Sequence, residues 1–289
     1  MSLIAETLDR LKILPLYIIP RHLLSRLIFH LARWERQSWK NIIIRLFIRV
    51  YHVDMASARE PDFRQYRNFN EFFARELRAD VRHICEDPDS IACPIDGAVS
   101  QIGRIDDSVL FQAKGRNYDL SSLLAKDEEA IEYFRQGSYA TLYLSPKDYH
   151  RIHMPVGGSL QKMTYVPGTL FAVNTPATRH IPNLFARNER IINLFDTDYG
   201  KMSLLMIGAL FVGSMDTVWT GTITPAKNRE LRVWDYATGK VSLDRGAELG
   251  RFNMGSSVII LFEPGRIEWL SELTAGSTVL MGQALGKRI

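Results

Sequence analysis

The sequence predicts an α+β fold: a helical, membrane-associated N-terminal region followed by a β-rich, mainly antiparallel core. Three observations lead there. Before about residue 80, apolar residues follow helical spacing. From about residue 90, short apolar runs alternate with glycine turns. Nowhere do strands and helices alternate in the rhythm of a parallel, doubly wound sheet. The expected division is an amphipathic helical region over 1–80 and a β-rich catalytic region over 81–289.

The elements follow in order. After Pro20, residues Leu23, Leu24, Leu27, Ile28 and Leu31 share a helical face, with Arg26 and Arg33 on others. Pro15 and Pro20 sit near helix starts, where proline is tolerated. The stretch NFNEFFARELR (68–78) offers Asn70 as a helix cap. Strands are expected at 98–105, 139–144, 158–166, 190–196, 201–207, 211–219, 230–235, 257–262 and 278–284, with a helix around 119–136. The run Val258-Ile259-Ile260-Leu261-Phe262 is continuously apolar and mostly β-branched, as a buried strand requires. Residues 166–192 form a long connection of the kind that serves as a binding loop or lid.

Composition narrows the classes. Of 289 residues, 46% are hydrophobic and 24% charged, which is ordinary for a folded protein. Cys85 and Cys93 are too few for a disulfide scaffold or a zinc framework, so packed thiols in a reducing compartment are expected. Residues 1–50 hold nine Arg/Lys against Glu6, Asp9 and Glu35, a net +6, and the total is +4. The basic character therefore belongs to the N-terminus. No window of about 18 residues there is free of charge, so a spanning helix is not expected. No small-residue cleavage site follows, which argues against a secretory signal. Arginines interleaved with Leu, Ile, Phe and Trp suit the headgroup plane of an anionic membrane. The competing reading is a helix packed on its own protein with solvated arginines. Nucleic acid is not an expected partner, because no basic-aromatic motif or finger spacing occurs.

Nucleotide-binding GxGxxG and GxxxxGK[ST], metalloprotease HExxH and hydrolase GxSxG are all absent. What remains is Asp96 beside Gly97 in ACPIDGAVSQIG, His150 and His153 in SPKDYHRIHMPVGG, and Gly255-Ser256-Ser257 at the mouth of the apolar strand. The two histidines have no matching Asp, Glu or Cys cluster, so no metal is expected. Ser, His and Asp are the parts of an activated nucleophile. The carbonyl nearest to Ser256 is that of Gly255, one bond upstream, and glycine offers little steric resistance to attack. That juxtaposition suggests self-cleavage.

The motifs PIDGAVSQIG, AKGRNYDLSSLL, LYLSPKDYHRIHMPVGG, PGTLFAVN, LFARNERI, GSMDTVW, MGSSVIILF and VLMGQALG occur in one consistent order over most of 60–289. In this the chain resembles the bacterial phosphatidylserine decarboxylase proenzymes. The resemblance implies a pyruvoyl enzyme whose processing motif, usually Leu-Gly-Ser-Thr, stands here as Met254-Gly255-Ser256-Ser257. Met for Leu is conservative in volume, and Ser for Thr keeps the hydroxyl. His153, oriented by Asp96, would take the Ser256 proton, and the oxygen would attack the Gly255 carbonyl. Cutting between Gly255 and Ser256 would give chains 1–255 and 256–289, with Ser256 becoming the pyruvoyl cofactor. That group would serve the decarboxylation of phosphatidylserine to phosphatidylethanolamine, with His150 acting in the decarboxylation step. A homodimer of processed pairs, peripheral on the cytoplasmic face of the inner membrane, is implied as well. On this reading every group needed for cutting lies beyond residue 90, and the N-terminal region serves lipid alone. Two other readings stay open: a lipid-surface binding module that never matures, and a pyruvoyl decarboxylase of a soluble amino acid, against which the apolar N-terminus speaks.

Overall fold

Runs of Val, Ile, Leu and Phe assemble, in the computed structural model, into a nine-stranded antiparallel sheet that holds most of the core. The structure describes residues 20–113, 116–210, 214–224, 228–237, 239–254 and 257–289. Three helices come first: α1 (Arg21–Ala32), α2 (Gln37–Tyr51) and α3 (Phe69–Phe73). Strands β1 (Ser90–Ala92), β2 (Gly97–Arg104), β3 (Val109–Ala113) and β4 (Arg116–Asp119) precede the short helices α4 (Leu120–Leu123) and α5 (Glu128–Phe134). Then come β5 (Ser138–Tyr143), β6 (Arg151–His153), β7 (Gly158–Val166), helices α6 (Thr175–His180) and α7 (Leu184–Arg187), β8 (Arg190–Thr197) and β9 (Gly200–Ile207). The chain continues through β10 (Met215–Thr217), β11 (Gly221–Thr222), β12 (Arg232–Asp235), β13 (Ser242–Leu243), β14 (Glu248–Phe252) and β15 (Ser257–Phe262). It closes with β16 (Ile267–Trp269), β17 (Thr278–Val279) and β18 (Ala284–Arg288).

The main sheet runs β12-β7-β8-β9-β15-β5-β2-β17, with β13 also on β7. β15 lies inside it, paired with β9 on one side and β5 on the other; Ser257 stands between Ile207 and Tyr143. All six residues of β15 are buried, which explains the unbroken apolar run: with both faces covered, there is no polar side to alternate with. At the far end of β5, Gly97 of β2 sits so close that a Cβ would lie 2.1 Å from the Tyr143 carbonyl oxygen. Only glycine fits there, and it fixes Asp96 just before the sheet edge.

A smaller sheet, β11-β10-β14-β6, holds the histidine segment. β14, which the sequence reading did not foresee, pairs with β6 so that Glu248 faces His153 and Arg251 faces Arg151. The Phe252 amide then donates to the His150 carbonyl at 3.0 Å. β14 thereby brings Phe252, two residues before Met254, against the histidine segment. Gly255 and Ser256 themselves lie outside the described residues.

The N-terminal helices pack through a second, smaller core of Ala32, Ile44, Val53, Tyr66, Phe69, Phe72 and Phe73, with Met254 against it. Phe47 of α2 meets Phe69 edge-on at 5.1 Å. The helix expected over 68–78 stops at Phe73, because Glu76 and Arg78 bond instead to the backbone of Arg59 and Ser57. Its cap is Asn68, whose side chain accepts from the Glu71 amide at 3.0 Å, not Asn70. The helix expected around 119–136 divides into α4 and α5 at Ala125 and Lys126, both with positive φ. The strand expected over 278–284 likewise divides into β17 and β18 about Gly282, at φ +90°. Of the strand expected at 211–219, Met215–Thr217 is formed, and 211–213 lie outside the described residues. The long 166–192 connection is packed rather than loose: Val173, Ala177, Ile181, Leu184 and Phe185 belong to the main core. Among the described residues no helix is long and apolar enough to cross a membrane.

The close approach at Gly97 gives a direct test. Gly97→Ala must push β2 away from β5, and overpacking of this kind costs about 1–3 kcal/mol. A lower urea midpoint for the variant is the expected outcome.

Candidate active site

His153 closes β6, and His150 immediately precedes it. As parts of one regular strand the two rings would point to opposite faces. Here strand geometry begins only at Arg151. His150 is fully buried, with its ring against Phe73 of α3 at 4.1 Å between centroids. Its Nδ1 lies 2.8 Å from the Asp148 carbonyl oxygen. A carbonyl only accepts, so Nδ1 carries the proton and Nε2 presents a lone pair. That Nε2 is buried and has no hydrogen-bond partner among the described residues. Burial pushes the His150 pKa down to about 3, the nearby Arg75 guanidinium adding to the effect against the Asp148 bond.

The same logic fixes His153. Its Nδ1 donates to the Gly246 carbonyl at 2.8 Å, leaving Nε2 to accept from the Tyr149 hydroxyl at 3.0 Å. Burial lowers its pKa as well, opposed by that Gly246 bond and by the charges of Glu248 and Asp96. Both imidazoles are therefore neutral, each with Nδ1 tied to a backbone carbonyl and Nε2 unprotonated.

Asp96 is buried, but it does not touch His153. Its carboxylate is held by the Arg82 guanidinium in a two-pronged pair and by the Met281 amide at 2.8 Å. The orientation of His153 expected from Asp96 is supplied by the Gly246 carbonyl, since both ring nitrogens are otherwise engaged. What Asp96 contributes to His153 is charge at a distance. Asp96, Tyr149, Tyr143, Arg75 and Arg82 line one cavity of about 480 Å³.

The processing segment is approached from both sides. Ser257 is buried, and its hydroxyl has no partner among the described residues. Met254 holds φ at +142°, a region that residues with a Cβ rarely adopt. Asn253, 1% exposed, takes part in three hydrogen bonds. Its amide donates to the Ser214 carbonyl at 2.8 Å, its Nδ2 to the Ser214 hydroxyl, and its Oδ1 accepts from Asn70 Nδ2 at 2.9 Å. The Ser214 hydroxyl also accepts from Nη2 of Arg33, just past α1, at 2.8 Å and is thus shared. Tyr149, Asn253 and Ser214 escape the reading of the sequence, and Asn70, expected as a helix cap, meets Asn253 instead. GSMDTVW was quoted as a motif, yet nothing in its residues announced that Ser214 would meet residue 253.

Comparison with known proteins agrees with this arrangement. A family model described as phosphatidylserine decarboxylase matches residues 69–287. The chain belongs to the phosphatidylserine decarboxylase family. A second model, described as PSD, matches residues 11–52. Relatives named phosphatidylserine decarboxylase proenzyme include that of Methylococcus capsulatus, 51% identical over 93% of this chain and 94% of its own. That of Ectopseudomonas mendocina is 50% identical over 96% of this chain and 98% of its own. That of Shewanella halifaxensis is 45% identical over 97% and 99%. The chain is accordingly a lyase precursor.

A pH dependence follows. Both histidines stay neutral in the folded chain at pH values where the unfolded chain binds protons, below about 6.5. The unfolded state then holds more protons, so folding stability falls as pH drops through about 6.5 toward the depressed folded pKa values. Urea midpoints measured from pH 7.5 to pH 5 should decline, and His150→Gln should decline less steeply.

Proposed function

We propose that this chain is a proenzyme that cuts itself between Gly255 and Ser256 and then decarboxylates phosphatidylserine to phosphatidylethanolamine. The observation that carries the reading is the pair of neutral imidazoles, with proton-accepting Nε2 atoms, on the strand paired to 248–252. In the cut, His153 Nε2 receives the Ser256 hydroxyl proton, either in exchange for the Tyr149 hydroxyl or through it. Ser256 Oγ bonds to the Gly255 carbonyl carbon, the C–N bond breaks, and the proton passes to the released amine. Loss of the Ser256 α-proton then expels Gly255 as a carboxylate and leaves dehydroalanine at 256. Tautomerisation and attack by water release ammonia and leave a pyruvoyl group. Asp96 serves as a fixed negative charge that raises the proton affinity of His153 when the Ser256 proton arrives.

The surroundings fit such a group. His150 Nε2 and the Ser257 hydroxyl, the latter one residue from position 256, are buried polar atoms without a partner among the described residues. The pyruvoyl group supplies an electron sink for the charge left when carbon dioxide departs, the part pyridoxal phosphate plays elsewhere. His150 Nε2, unprotonated at rest, takes a proton from the substrate ammonium and returns it to the α-carbon after carbon dioxide has left. Met254 and Phe73 keep this region apolar, which favours loss of a carboxylate charge.

The 1–80 unit is the lipid-facing part. Leu23 and Leu27 of α1 and Ile42, Leu46 and Val50 of α2 are exposed, at 54–68%, and are interleaved with Arg26, Arg45 and Arg49. Exposed leucine and isoleucine one turn apart, beside arginine, suit an anionic bilayer surface. The enzyme acts there as a peripheral protein on the cytoplasmic face of the inner membrane, as a homodimer of processed pairs.

Three experiments test these statements. Mass spectrometry should find a short chain starting at residue 256 and about 17 Da lighter than the unmodified 256–289 peptide, the mass of one ammonia. A free Ser256 or Ser257 N-terminus would remove the pyruvoyl reading. His153→Ala and Asp96→Ala should accumulate uncut chain, whereas His150→Ala should cut and then lose on the order of 10²–10⁴-fold in turnover. For the membrane, the protein should pellet with anionic vesicles and be released only in part by salt, because screening removes the arginine share and leaves the apolar one. Vesicle-free protein that elutes as a dimer and ignores vesicles would assign the exposed stripe to a second copy instead.

A further inference from the structure

We infer that Asn253 is a positioning residue for self-cleavage, and that its bonds to Asn70 and Ser214, the latter held in turn by Arg33, make seating of the N-terminal helices a condition for efficient cutting. The inference rests on the reading that the Gly255–Ser256 peptide is the one cut. An intramolecular attack needs the nucleophile and carbonyl within about 3–3.5 Å and aligned, so both flanks of the reacting peptide must be held. The downstream flank is held by the main sheet from Ser257 onward, through β5 and β9. Upstream, the β14–β6 pairing ends at Arg251, followed by the Phe252 amide bond to His150. Beyond it the last anchored residue is Asn253. Only three residues separate Asn253 from Ser257, a span of about 15 Å at full extension. A shift of either anchor is therefore passed directly to the reacting atoms.

Asn253 is not held by the catalytic sheets alone. Its side chain oxygen is bonded to Asn70, two residues into α3. Its Nδ2 and amide are bonded to Ser214, and the Ser214 hydroxyl is in turn gripped by Arg33 just past α1. Arg33 is itself stacked over Phe29 at 3.7 Å, so its reach depends on α1 being in place. Met254, next in the chain, packs on the aromatic core of α2 and α3 while holding its uncommon φ. The strained residue is thus braced by the helices, with the scissile peptide one residue on. The sequence reading gave the N-terminal region a lipid role only; the structure ties it to the cut as well. A chain whose helices are not yet docked has Asn253 held only by Ser214, and it would cut slowly.

The test is the rate of cutting of freshly translated full-length chain, followed on denaturing gels. Stability is measured separately by urea midpoint on the uncut Ser256→Ala background. Asn253→Ala should slow cutting at least tenfold and Arg33→Met several-fold, with midpoints close to that of the background. Ser214→Ala should slow it too, whereas Ser214→Thr, which keeps the hydroxyl, should restore most of the rate. Wild-type rates for Asn253→Ala and Arg33→Met would overturn the inference. So would a loss of rate matched by a loss of stability and not restored by Ser214→Thr. If Asn253→Ala fails to fold, Arg33→Met decides, since Arg33 touches the segment only through Ser214. Wild-type chain that yields no cut at 255/256 would instead overturn the reading of the cleavage site itself.

Discussion

The pairing of β15 with two neighbours at once is the constraint on which the rest depends. A peptide bond at the mouth of a strand can be broken safely only if the strand is held without it. From Ser257 to Phe262 every residue is matched to Tyr143–Ser138 on one side and to Ile207–Met202 on the other. Five apolar side chains of this strand are fully buried, and each contributes about 1.5–3 kcal/mol relative to exposure. The sheet therefore owes nothing to covalent continuity at 255–256. Strain and reactivity can be concentrated just outside it.

The surrounding electrostatics follow from burial. Among the described residues neither histidine ring is hydrogen-bonded to a carboxylate; each gives its one proton to a backbone carbonyl. In a poorly solvated site a charged ring is disfavoured, so both remain bases, and the difference between them lies in what meets Nε2. His153 meets the Tyr149 hydroxyl, and His150 has no hydrogen-bond partner there among the described residues. The buried carboxylate nearby, Asp96, is neutralised by Arg82, an arrangement that keeps its charge in a fixed place. Removing either partner would leave the other buried and uncompensated.

Much of this was legible in the sequence, for identifiable reasons. Val258–Phe262 could hardly be anything other than a buried strand, and the Asp-Gly, His-x-x-His and Gly-Ser-Ser elements bear chemistry in their side chains. The uncertain parts were contacts between residues far apart in the chain. Asn70 reads as a cap because asparagine two or three residues before an apolar run usually is one; Asn68 took that task and left Asn70 free to reach across 183 positions. β14 was missed because ELGRF mixes charge, glycine and apolar residues without alternation, its strand character coming only from β6 and β10 beside it. Gly246, which sets the tautomer of His153, acts through its carbonyl, and no side-chain pattern reports a carbonyl.

The burial of β15 also bears on how long the protein can work. A dissolved coenzyme is shared and replaced when it decays. A prosthetic group drawn from residue 256 would be mounted on a strand gripped along both edges, with no route of departure short of unfolding. Such a molecule has one working part for life. Chemical damage to it could be met only by discarding the whole polypeptide and translating another, so the supply of active sites would be set by protein turnover.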